Sequence, residues 1–161
     1  EMLRSLVGSE MCIRDRGKFM TEEQKEELVK KALEARQFSY APYSNFRVGA
    51  ALLSKGGQII TGCNIENAAY SPTNCAERTA VFKAVSEGIR EFEAIAIVGG
   101  PGEELPKETA APCGVCRQVL MEFCDAKEFQ VLLGKGDGTW QEYTLEELLP
   151  LGFSLTKTEQ E

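Results

Sequence analysis

Residues 93–98 read EAIAIV, residues 99–102 GGPG, residues 112–123 PCGVCRQVLMEF and residues 129–133 FQVLL. The first and last are apolar runs of strand length. The third places Val115, Val119, Leu120 and Phe123 at helical spacing, as the inner face of a helix over 113–123. A strand, a flexible polar connection ending at Pro112, a helix and a second strand make a unit of an α/β domain.

Toward the N-terminus, residues 75–86 (CAERTAVFKAVS) predict a second helix with Asn74 as its cap. Residues 46–53 and 58–63 predict two strands joined at Lys55-Gly56-Gly57. Residues 21–38 carry Leu28, Val29, Ala32, Leu33 and Ala35 on one helical face, and Thr21-Glu22-Glu23-Gln24 opens that helix. Toward the C-terminus, residues 134–138 form a turn, 140–143 a fifth strand, and 145–149 a short helix stopped at Pro150. The order αββαβαββα predicts a three-layer α/β/α domain with a mixed five-stranded sheet. Right-handed crossovers are expected to set the third strand parallel to one before it.

A chain of 161 residues, 43% of them hydrophobic, suits one core and one domain. Residues 1–19 show no sustained period and are read as an extension, with the domain over 20–161 and Cys12 set aside. The balance of 18 basic and 25 acidic residues, net charge -7, repels a polyphosphate backbone, so no nucleic-acid partner is expected. No run of about 18 apolar residues suggests a membrane span. The six cysteines, without a persuasive secretory leader, place the protein in a reducing cytoplasm, where Cys-x-x-Cys reads as metal or redox chemistry. The chain has no histidine, so proton transfer falls to carboxylates, cysteines or a metal.

Cys75-Ala76-Glu77-Arg78 opens one predicted helix, and Pro112-Cys113-Gly114-Val115-Cys116-Arg117 opens another. Unpaired N–H groups and the positive dipole end at helix starts favour thiolate, the form that binds metal. Cys113 and Cys116 can face one point across a first turn, and Cys75 supplies a third ligand if the helices start side by side. Three protein ligands for Zn2+ leave the fourth position to water, which the metal acidifies. Glu77 is the expected proton carrier. Three thiolates leave the site at -1, and Arg78 and Arg117 are expected to offset this by hydrogen-bonding ligand sulfurs.

These segments resemble the zinc deaminase motif, and with cysteine in the first position they resemble the small homotetrameric cytidine deaminases. The likeness extends through residues 41–51 (APYSNFRVGAA), 62–68 (GCNIENA) and 148–150 (LLP). The resemblance implies that Asn64 and Glu66 bind ribose hydroxyls, Phe46 stacks on the pyrimidine, and the Ala76 backbone helps read the base. It further implies that Tyr70 lies near the 5' end of the sugar and that Phe153 closes a neighbouring subunit's site in a tetramer. The implied activity is deamination of cytidine and deoxycytidine in pyrimidine salvage. Cys63 and Cys124 are read as small buried hydrophobes. Three rivals remain: a blasticidin or other nucleobase deaminase, a scaffold with Cys63 closing a four-thiolate zinc site, and a thiol redox protein using Cys113 and Cys116.

Overall fold

A computed structural model of the chain describes residues 20–155, so the reading of residues 1–19, Cys12 included, lies outside the described residues. Helix α1 spans Glu22–Arg36 and opens on a reciprocal cap. The Gln24 N–H donates to Thr21 Oγ1 at 3.2 Å, and the Thr21 N–H donates to Gln24 Oε1 at 2.9 Å, satisfying two donors that a helix start leaves over. Strands β1 (Phe46–Ser54) and β2 (Ile59–Cys63) form the expected antiparallel hairpin. Helix α2 (Ala76–Ser86), strand β3 (Phe92–Pro101), helix α3 (Gly114–Phe123), strands β4 (Gln130–Gly134) and β5 (Trp140–Thr144), and helix α4 (Leu145–Leu148) follow.

The five strands lie in the order β2-β1-β3-β4-β5. Strand β3 pairs antiparallel with β1 and parallel with β4, the strand that follows it. The third strand is thus parallel to an earlier one in direction, while the parallel strand beside it is the later β4. Strand β2, which shares the direction of β3, is separated from it by β1.

Because side chains alternate across a strand, consecutive apolar residues of the central strands serve opposite layers. Ala51, Leu53, Ala94, Ala96, Val98 and Leu132 pack with Leu28, Val29 and Ala32 of α1. Ala50, Leu52, Ile95, Ile97, Val131 and Leu133 pack on the other face with Ala80, Val81 and Ala84 of α2 and Leu120 of α3. The sheet is thus sandwiched as the three-layer reading requires, and continuous apolar runs suit strands buried on both faces.

Two details of the helices depart from expectation. Cys75, not Asn74, is the N-cap of α2, and Cys113 is the N-cap of α3. The inner face of α3 carries Cys116, Leu120 and Met121, with the expected Val119 and Phe123 also packed on the core, whereas Val115 is 58% exposed.

Close backbone approach sets the height of α2 over the sheet. A Cβ built at Gly62 would stand 2.5 Å from the Ala76 carbonyl oxygen, so only glycine lets β2 lie this near the first turn of α2. The connection over 102–112 is tied at its start and near its middle. Buried Arg36 donates to the carbonyls of Arg47, Gly100 and Gly102, and the Gly136 N–H donates to the Pro106 carbonyl at 2.7 Å.

Candidate metal centre and active site

Cys75 and Cys113 occupy N-cap positions with extended backbones, and neither sulfur accepts a capping hydrogen bond from its own helix. A side chain at such a position ordinarily turns back on the N–H groups of the first turn. Here both sulfurs turn toward each other instead. Cys75 Sγ lies 3.7 Å from Cys113 Sγ, and Cys113 Sγ lies 3.4 Å from Cys116 Sγ. All three ligand atoms fall within 4.8 Å of one another.

This spacing fits a tetrahedral ion. Zinc–sulfur bonds of about 2.3 Å at tetrahedral angles separate the sulfurs by about 3.8 Å, within a few tenths of an ångström of both measured contacts. Three soft sulfur donors suit zinc rather than magnesium or calcium. No fourth sulfur, imidazole or carboxylate joins the group among the described residues, so the set leaves one coordination position open. Cys63 stands outside the cluster, against the four-thiolate scaffold.

Glu77 sits in the first turn of α2, 4% exposed, and Cys116 donates its thiol hydrogen to Glu77 Oε2 at 3.2 Å. Burial raises the Glu77 carboxyl above its ordinary value, and the neighbouring Cys75 charge adds to this. A carboxyl raised in this way exchanges a proton more readily near neutral pH than an exposed one does. Cys75 is held well below the ordinary thiol range, at about 5. The neighbouring Cys116 contributes most, and Arg78 and Cys113 add to it against the opposing effect of burial. Cys116 is pushed up as that hydrogen bond, burial and Glu77 all favour its protonated form.

Arg78 Nη2 donates to Cys75 Sγ at 3.2 Å, as expected of a residue that balances ligand charge. Arg117 does not reach a sulfur. Its Nε donates to the Pro112 carbonyl at 2.7 Å and its Nη1 to the Leu148 carbonyl at 2.6 Å, so it clamps the start of α3 to α4. The sequence places Arg117 beside a ligand, but a side chain one step along a helix points about 100° away.

The cluster closes one end of a cavity of about 220 Å³ lined by Ser44, Phe46, Val48, Asn64, Cys75, Ala76, Glu77, Cys113 and the pair Ala110 and Ala111, among others. The cavity gathers Phe46, Asn64 and Ala76 with Cys75, Cys113 and Glu77. Asn64 Nδ2 donates to the Phe46 carbonyl at 2.8 Å and Asn64 Oδ1 accepts from the Val48 N–H at 2.9 Å. One donor and one lone pair of that amide stay available. Glu66 stands beside the cavity, its carboxylate held by the Tyr43–Ser44 turn.

Tyr70 and Phe153 do not line this cavity. Tyr70 adopts a left-handed φ of 59° and rests edge-on against Tyr43, ring centroids 6.3 Å apart. Phe153 is 64% exposed, its carbonyl accepting from Gln118. The sequence reading assigned no role to Ser44, Ala110 or Ala111. The run of small residues before Pro112 was the available signal, since small side chains leave room beside a ligand.

Three thiols spaced for one tetrahedral ion, an open coordination position and a buried carboxylate, all on an α/β/α sheet, define a metal-dependent hydrolytic site. The chain belongs to the family described as the cytidine and deoxycytidylate deaminase zinc-binding region, whose model matches residues 22–133. It is 54% identical over 127 residues to a cytidine deaminase of Halalkalibacterium halodurans, a match covering 79% of this chain and 92% of that protein. It is 51% identical over 132 residues to a cytidine deaminase of Sporosarcina psychrophila, covering 80% and 90%. The crystal structure of a cytidine deaminase from Burkholderia pseudomallei superposes with a TM-score of 0.73 at 44% identity, covering 83% of this chain and all of that one.

Proposed function

We propose that the chain catalyses the zinc-dependent hydrolytic deamination of cytidine and deoxycytidine to uridine and deoxyuridine, releasing ammonia, as a step of pyrimidine salvage. The observation that carries this reading is the three sulfurs within 4.8 Å of one another beside buried Glu77. Cys75, Cys113 and Cys116 hold one zinc per chain. When bound, that ion supplies Lewis acidity, which makes a water nucleophilic at neutral pH.

The protein's own groups then have defined tasks. Phe46 and Val48 present an apolar wall to the pyrimidine, and the Ala76 backbone borders its polar edge. Glu77 takes a proton from the attacking water and delivers it to ring N3 as the oxygen bonds to C4. It then takes the second water proton and gives it to the amino group as the C4–N bond breaks and ammonia leaves. Asn64 and Glu66 grip the ribose hydroxyls, and Tyr70 stands toward the 5' end. Arg78 offsets the net negative charge of a three-thiolate site.

The chain assembles as a homotetramer in which Phe153 closes a neighbouring subunit's site. Tyr70, Phe82, Val115, Leu151 and Phe153 are exposed and so available to a partner subunit. The acidic chain disfavours a nucleic-acid substrate, and no helix among the described residues is long and apolar enough to cross a membrane. The cytoplasm is its proposed compartment.

Incubation of the zinc-loaded protein with cytidine, deoxycytidine, cytosine, blasticidin S and single-stranded RNA, with ammonia measured, tests the reading. Turnover of the two nucleosides above all others is expected. Preferential turnover of blasticidin S or RNA, or ammonia from none, contradicts it.

A further inference from the structure

We propose that Ser44 is a positioning residue of the nucleoside site, whose one hydroxyl holds both the Glu66 carboxylate and the backbone of Phe46. The inference rests on the deaminase reading above and extends it to a residue whose hydroxyl bonds to neither the cysteine cluster nor Glu77.

Ser44 Oγ donates to Glu66 Oε2 at 2.6 Å, the short distance of a charge-assisted O–H···O bond. The same oxygen accepts from the Phe46 N–H at 3.0 Å. The hydroxyl hydrogen is committed to one side of the site and a lone pair to the other. The N–H groups of Tyr43 and Ser44 converge on Glu66 Oε1 at 3.0 and 3.1 Å, fixing the carboxylate plane. Asn64 holds the Phe46 carbonyl, so both backbone groups of Phe46 are tied, one by Ser44 and one by Asn64.

The loop is shaped for this arrangement. Asn45 takes a left-handed φ of 55°, a conformation asparagine tolerates better than most residues, and it turns the chain between Ser44 and Phe46. The Asn45 N–H donates to the Ala41 carbonyl, and the Asn45 carbonyl accepts from the Gly102 N–H. The Ser44 hydroxyl beside Glu66 also holds that carboxyl below its ordinary range, keeping it an acceptor for sugar hydroxyls. An unheld glutamate samples many rotamers, and a sugar contact would have to order it on binding. Ser44 does this ordering in advance. Its loss is therefore expected in KM rather than in kcat, since the Ser44 hydroxyl bonds to Glu66 and Phe46 and not to Glu77 or the cysteine cluster.

The test compares wild type, Ser44→Ala and Ser44→Thr, each with zinc content measured, on cytidine and on 2',3'-dideoxycytidine. Ser44→Ala is expected to raise KM for cytidine about tenfold, the scale of one hydrogen bond lost to a charged group, with kcat within about twofold. The effect on the dideoxy nucleoside is expected to be smaller, narrowing the preference for the hydroxylated sugar. Ser44→Thr, which keeps the hydroxyl, restores the cytidine KM. Ser44→Cys, close in size but a weak donor, carries the alanine expectation if the alanine variant fails to fold. An unchanged cytidine KM overturns the proposal, as does an equal loss on both nucleosides with kcat falling in step. If zinc-loaded wild type turns over neither nucleoside, the deaminase reading itself falls and this proposal falls with it.

Discussion

Cys116 and Glu77, 39 residues apart in sequence, meet at 3.2 Å where α2 and α3 begin, the thiol donating to the carboxylate. The contact joins a member of the cysteine cluster to the group proposed for the proton transfers. It also separates them for experiment, because Glu77 does not belong to the group of sulfur ligands.

Glu77→Gln keeps the side-chain volume and removes the basic oxygen. It is expected to retain zinc while the rate on cytidine drops about a thousandfold, the range of general acid–base catalysis. Metal analysis beside an absorbance assay checks both halves. Turnover within tenfold of wild type would assign the proton transfers to another group.

The two arginines separate charge balance from architecture. Arg78→Ala removes the donor at Cys75 Sγ and is expected to weaken zinc binding roughly tenfold to a hundredfold in chelator competition. Arg117→Ala frees the carbonyls of Pro112 and Leu148, and its expected effect is a stability loss of about 1–2 kcal/mol, read as a lower unfolding midpoint, with zinc affinity little changed. Equal loss of zinc affinity in both variants would contradict the division.

That division marks the limit of what the sequence disclosed. The clustering of Cys75, Cys113 and Cys116 beside Glu77 was legible because helix starts and three-residue spacing are local properties. The capping box at Thr21 and the hairpin at Lys55-Gly56-Gly57 were legible for the same reason. Insertion of β1 between β2 and β3 was not, since strand pairing is set by distant contacts that no local pattern encodes. Val115 looked like core and is exposed because inward-facing Cys116 sets the rotation of α3, and hydrophobicity alone does not reveal that cost. The irregular residues 102–112 gave no period to read, although Ala110 and Ala111 border the cavity.

Glu66 supplies the pH dependence. Its folded value is depressed by the Ser44 hydroxyl and the Tyr43 and Ser44 N–H groups, so the stabilisation of the 43–46 loop is fully present above the ordinary glutamate value. It disappears as pH falls through the lower, folded value. Carbon NMR titration of the Glu66 carboxyl is expected to give a midpoint below that of an unperturbed glutamate, about 4.3. A midpoint at or above it would mean that the loop does not hold the carboxylate in solution.

X-ray absorption at the zinc edge of the protein as purified tests the central claim most directly. Three sulfurs at about 2.3 Å and one nitrogen or oxygen at about 2.0 Å around one zinc per chain are expected. Four sulfurs, or protein with no zinc, would contradict an open three-thiolate centre on Cys75, Cys113 and Cys116.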